Sequence, residues 1–168
     1  MATMLRIAGV VKESIVDGPG FRYVIFTQGC PHHCKGCHNP QTHDYNGGKL
    51  IDIDFFLNEI KRDPILKGIT LSGGEPFEQA KVLSELVSKL DKKLTVMAYT
   101  GYTYEYLVNN SNEENGYMEL LSKIDVLIDG RFEERLKDPF LDFRGSSNQR
   151  AIECKNSLKE GKIILHNF

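Results

Sequence analysis

Apolar positions come in short runs separated by glycine, proline and asparagine. Leu5 to Val11 predicts a first strand, and Phe21 to Thr27, with the run Tyr23-Val24-Ile25-Phe26, predicts a buried second one. Asp17-Gly18-Pro19-Gly20 between them reads as a hairpin turn. Phe55, Phe56, Leu57 and Ile60 predict a helix over 52–62. Asp52 or Asp54 suits its N-terminus, and Asp63-Pro64 ends it, because the residue before proline avoids helical backbone. Gly68–Leu71 predicts a short strand, 77–90 a helix with Ala80, Leu83, Leu86, Val87 and Leu90 on one side, and Leu94–Tyr99 another strand. A helix around 103–109, a polar loop at 110–116, a short helix at 117–122 and a strand at Val126–Ile128 follow. Beyond that the pattern weakens. Residues 131–139 are charged and weakly helical, 144–150 are polar and turn-forming, and Ile163–Leu165 predicts a last short strand.

The repeated strand-then-helix order predicts an α/β fold with a parallel sheet. A chain of 168 residues suits one domain, 1–168. About 120 residues of strand–helix units are too few for a closed eight-stranded barrel, which needs about 250. The expected architecture is therefore a partial, open (β/α) barrel, with room for a large partner on its open side.

Composition narrows the classes. Net charge is −2 and charged residues make up 26%, so nothing argues for nucleic acid or a membrane surface as partner. No apolar run approaches the roughly 20 residues of a membrane span. The N-terminal apolar run is too short for a signal-peptide core. The expectation is a cytoplasmic protein with reduced thiols.

Candidate chemistry sits where predicted strands end. Cys30, Cys34 and Cys37 are spaced C-x3-C-x2-C directly after the second strand. Three thiolates can hold three irons of a [4Fe–4S] cubane and leave the fourth without a protein ligand. Zinc remains open, since His32, His33, His38 or His43 could complete a four-ligand site. Ser72-Gly73-Gly74-Glu75-Pro76 follows the third predicted strand. It is either a tight strand-to-helix turn or a place where bare backbone meets a ligand. Thr100-Gly101-Tyr102 and Asp129-Gly130 end the next two strands. Asp129 reads as a turn residue or as a site acid, because ligands collect at the carboxyl ends of parallel strands. Cys154 stands alone and reads as a buried, unused thiol.

The cysteine motif after an early strand resembles the radical S-adenosylmethionine (SAM) superfamily. One departure is Gly36, where many members carry an aromatic residue before the third cysteine. The ordered set VDGPGFR, GCPHHCKGCHN, SGGEP, YTGY, VLIDGRF and RGSSNQR, over roughly residues 7–151, resembles its glycyl-radical activating enzymes. DGRF and RGSSNQ favour the branch that serves anaerobic ribonucleoside-triphosphate reductases. The alternative is another radical SAM enzyme, similar to pyruvate formate-lyase activase or acting on a small molecule.

The resemblance implies that Cys30, Cys34 and Cys37 hold a [4Fe–4S] cluster. It implies SAM on the open iron, with Gly36, Cys37, His38, Gly73, Gly74, Glu75, Thr100 and Asp129 around it. A one-electron donor such as flavodoxin would reduce the cluster. SAM would then cleave to methionine and a 5′-deoxyadenosyl radical, which takes a hydrogen atom from a glycine of the reductase large subunit. The cofactors carry this chemistry, so no acid–base catalytic pair is expected among the side chains. Arg144 to Arg150 would either meet the partner or cover the cluster.

Overall fold

The computed structural model describes residues 2–168; Met1 of the expected 1–168 span lies outside the described residues. Its strands are β1 (Met4–Ser14), β2 (Arg22–Thr27), β3 (Lys49–Asp52), β4 (Gly68–Gly73), β5 (Thr95–Tyr99), β6 (Val126–Asp129) and β7 (Arg150–Glu153). The helices are α1 (Ile53–Lys61), α2 (Ala80–Ser88), α3 (Tyr104–Asn109), α4 (Tyr117–Leu121) and α5 (Cys154–Glu160). The strands form one seven-stranded sheet in the order β3-β1-β2-β4-β5-β6-β7, which does not close.

The sheet is mixed, which corrects the expectation of a parallel one. β2, β4, β5 and β6 run parallel, while β1, β3 and β7 are antiparallel to their neighbours. The parallel strands connect through helices, as such crossovers require. β1 and β2 form the hairpin that Asp17–Gly20 predicted. Thr27 pairs with Gly73, so the ends of β2 and β4 are level and their following loops start side by side.

Residue alternation assigns the two faces. Tyr23, Ile25, Ile69, Leu71, Val96 and Ala98 point to the main core beneath α1, α2 and α4. Arg22, Thr70, Met97 and Tyr99 occupy the alternate positions of the same strands, and Met97 belongs to a second, smaller cluster with Val126, Ile128 and Ala151. Arg22 is buried on this second face without a carboxylate. It donates instead to Thr70 Oγ1 (2.8 Å), Ile69 O (2.7 Å), Thr95 O (2.9 Å) and Pro19 O (3.2 Å). Burial lowers its guanidinium to about 10. Gly18, at φ +137°, fits because a Cβ there would lie 2.7 Å from both Arg22 Cδ and Met97 Sδ.

Several local expectations shift. α1 starts after Asp52, whose Oδ1 accepts from Asp54 N at 2.9 Å. The predicted 77–90 helix is a 3-10 turn at Pro76–Gln79 followed by α2. Ile163–Leu165 forms no strand; Leu165 makes only an isolated bridge to Ile152. β3, β7 and α5 were not foreseen. β3 is a half-exposed edge strand, β7 emerges from the polar 144–150 stretch, and α5 is only seven residues long and mostly polar.

Candidate functional site

The C-terminal ends of β2, β4, β5 and β6 open into a cavity of about 600 Å³. Cys30, Cys34, Cys37, His38, Gly73, Gly74 and Thr100 lie on its wall. One loop, one bare turn and one strand end expected at the site are thus brought together.

The cysteine loop is built to present sulfur. Cys30 is buried at its base, anchored where Cys30 N donates to His43 O at 3.2 Å. Burial pushes the Cys30 thiol up to about 11, while the backbone amides of His32 and His33 favour its thiolate. The turn continues through His33, at φ +48°, and through a Cys37 N to Cys34 O bond of 3.1 Å. Asn39 N donates to Cys37 Sγ at 3.4 Å. Cys34 is half-buried, and burial raises its thiol too. The nearby Phe132 amide and Arg131 charge pull the other way.

These residues fit an iron–sulfur cluster better than zinc. Among the described residues no three His, Cys, Asp or Glu side chains converge closely enough to hold one ion. A tetrahedral zinc site needs such convergence, whereas each thiolate of a cubane binds a different iron. Backbone amides turned towards sulfur are the interactions that tune such a cluster. His43, on the same wall, has a buried Nε2 with no partner in the protein.

Gly73 and Gly74 are required by neighbouring backbone as well as by any ligand. A Cβ on Gly73, at φ +97°, would lie 2.3 Å from Thr27 N, and one on Gly74 would lie 2.5 Å from Gly29 O. Gly74 N donates to Thr27 O and Glu75 N to Gly29 O, both at 2.8 Å. The turn is therefore sewn to the start of the cysteine loop.

Three residues expected at the cofactor lie off the cavity wall. Glu75 is fully buried and points inward. Its carboxylate accepts from Phe77 N (3.0 Å), Gly101 N (2.8 Å) and Thr100 Oγ1 (2.9 Å). It also faces His32 Nε2 at 2.7 Å. Asp129 is buried towards α3, where Oδ2 accepts from Tyr104 N at 2.8 Å and Oδ1 from Arg150 Nε at 3.0 Å. Gly36, at φ +75°, turns beneath Glu134, whose Cδ would lie 3.2 Å from an added Cβ. In Glu75 and Asp129 the carboxylates serve chain amides and a guanidinium rather than the open space.

Other wall residues carried weaker signals. Arg131, Phe132, Arg144 and Gln149 line the cavity from the DGRF and RGSSNQR segments, which had no periodicity to mark them. Asp17 lines it from the hairpin turn. Cys154 is fully buried in the main core, and its amide bonds Asp125 O at the far end of β6 from the cysteine loop. Burial pushes its thiol up to about 12. Among the described residues no helix is long and apolar enough to cross a membrane.

Known proteins resemble the chain over most of its length. A family model described as a 4Fe-4S single cluster domain matches residues 16–152. The chain is 37% identical over 145 residues to the anaerobic ribonucleoside-triphosphate reductase-activating protein of Escherichia coli (strain K12), covering 80% of this chain and 90% of that protein. It is 36% identical over 149 residues to the protein of the same name from Vibrio cholerae serotype O1, covering 80% and 89%. The counterpart from Enterobacteria phage T4 is 34% identical over 146 residues, covering 80% and 85%. With the cysteine loop, the glycine turn and near-complete coverage of these relatives, the chain belongs to the family of anaerobic ribonucleoside-triphosphate reductase-activating proteins.

Proposed function

We propose that this protein generates the glycyl radical of an anaerobic ribonucleoside-triphosphate reductase by reductive cleavage of SAM at a [4Fe–4S] cluster. The observation that carries this reading is the cavity at four parallel strand ends, with three cysteines on the same wall as the bare Gly73-Gly74 turn. When bound, the cluster and SAM supply one-electron cleavage of the sulfonium to methionine and a 5′-deoxyadenosyl radical, which takes a hydrogen atom from the partner's glycine.

The chain's own residues bind, orient and shield. Cys30, Cys34 and Cys37 would hold three irons and leave one coordination position open. Gly73 and Gly74 would bring bare backbone to the SAM amino group, and His38 and Thr100 would line the rest of its seat. Glu75 supports that seat from behind, holding Thr100 and Gly101 in place. Asp129 holds the N-terminus of α3. We further assign residues 1–168 to one radical SAM domain, a partial barrel whose open side admits the reductase loop. A one-electron donor such as flavodoxin and a cytoplasmic setting complete the reading.

The test is anaerobic reconstitution with iron and sulfide, reduction with dithionite, addition of SAM, and chromatography for 5′-deoxyadenosine. Its appearance, alone or once the reductase is added, supports the reading. A protein that takes up one zinc and no cluster under these conditions contradicts it.

A further inference from the structure

We propose that Arg144–Arg150 is a clamp that fixes Gly130–Glu133 over the cysteine loop, and that Asn148 and Gln149 are positioning residues for the cluster. The inference rests on Cys34 being a cluster ligand, as proposed above.

Consecutive backbone groups of the 130–133 segment are held by side chains of the 146–149 segment. Gln149 Nε2 donates to Gly130 O at 3.0 Å, Asn148 Nδ2 donates to Arg131 O at 2.8 Å, and Ser146 Oγ accepts from Glu133 N at 3.1 Å. The clamp is itself braced. Gln149 Oε1 accepts from Gly145 N at 2.9 Å and Ser146 N at 3.2 Å, and Ser146 Oγ donates to Asn148 Oδ1 at 2.6 Å. Arg150 closes the end on Asp129. Gly145 is bare where Phe132 packs; an added Cβ would lie 2.9 Å from Phe132 Cδ2.

The clamped segment lies on the cysteine loop. The Phe132 ring sits 5.1 Å from the His38 ring, and the Glu134 side chain covers Gly36. Arg131 and Phe132 line the same cavity as Cys34, so the clamped segment brings a positive side chain and backbone amides to the cysteine wall. Ser146 is fully buried, and Asn148, Gln149 and Arg150 commit their polar groups to backbone oxygens and carboxylates of this chain, while Ser147 is exposed. A surface made for a partner would leave those groups free. Donors and positive charge beside a ligating sulfur favour the reduced, more negative cluster, so holding them there raises its potential.

The test is the double variant Asn148→Leu, Gln149→Met, which removes the amide donors to Gly130 O and Arg131 O at similar size and adds no charge near the cluster. The readout is the midpoint potential of the reconstituted cluster, followed by EPR without SAM or reductase, with iron content measured in parallel. The expected result is a loaded cluster with a more negative potential than the parent, and no shift in Ser147→Ala. If the double variant does not load, Asn148→Leu and Gln149→Met singly give the same reading, each with a smaller negative shift. An unshifted potential in loaded variants, with or without weaker binding of the reductase, overturns the clamp. A parent protein that takes up no cluster would fail the underlying assignment of the cysteines instead.

Discussion

His32 Nε2 lies 2.7 Å from Glu75 Oε1, and both side chains are almost wholly buried. The contact joins the cysteine loop to the turn after β4, and Glu75 extends the link to Thr100 and Gly101 after β5. Three strand-end loops thus share one carboxylate. His32→Ala should destabilise the fold by about 1–3 kcal/mol, the range for stripping a partner from a buried polar group. It should also lower iron retention after reconstitution. His32→Gln, which keeps a donor, should recover part of both. Thermal melts and iron assays check this, and an Ala variant matching the parent in both would remove the latch from the account.

Gly101 makes the same contact testable from the other side. A Cβ there would lie 2.4 Å from His32 Cδ2 and 2.7 Å from Nε2. Gly101→Ala should therefore displace the ring and cost about 1–3 kcal/mol, as overpacking does. Combined with His32→Ala it should cost less than the two changes summed, because the ring it strikes is gone. Additive melts would contradict this.

Arg150 bridges Asp129 and Glu105. Arg150→Met should cost about 3 kcal/mol, because Asp129 stays buried with its charge partner removed. Glu105 is more exposed, and the Arg150 guanidinium holds its carboxyl below the usual range. A depressed folded-state value stabilises the protein above the unfolded-state value, about 4.3, and that contribution is lost as pH falls through the folded value. Glu105→Gln should therefore change stability by under about 1 kcal/mol at pH 7 and flatten the loss below about pH 4.3. Urea titrations across pH measure both effects.

Cys154 and the three loop cysteines should separate cleanly. Cys154→Ala should cost about 1 kcal/mol for lost burial and leave iron content unchanged. Alanine at Cys30, Cys34 or Cys37 should abolish both the cluster and SAM cleavage. Cluster loss in the Cys154 variant would overturn the ligand assignment.

The strand ends were legible because glycine or cysteine soon follows each apolar run: Gly29-Cys30 after Thr27, Gly73-Gly74, Gly101 after Thr100 and Gly130 after Asp129. Which way their side chains face was not. Glu75 and Asp129 stand at the right strand ends, yet their carboxylates are drawn to backbone amides that only the assembled loops bring near. β7 was hidden for a related reason. Its four residues pair with β6 across a clamp whose polar side chains, read in sequence, signal only a loop. The turn at Asp17–Gly20 already encoded the antiparallel β1–β2 pair, whereas the edge strand β3, four residues at Lys49–Asp52, carries no local signal of its presence or direction.

The central claim is radical transfer to a glycine, and EPR tests it most directly. The reconstituted protein is mixed anaerobically with dithionite, SAM and an anaerobic ribonucleoside-triphosphate reductase, then frozen. The account predicts a glycyl radical doublet that requires SAM and disappears when any of Cys30, Cys34 or Cys37 is alanine. A loaded cluster that cleaves SAM beside the reductase yet leaves no glycyl radical would contradict it.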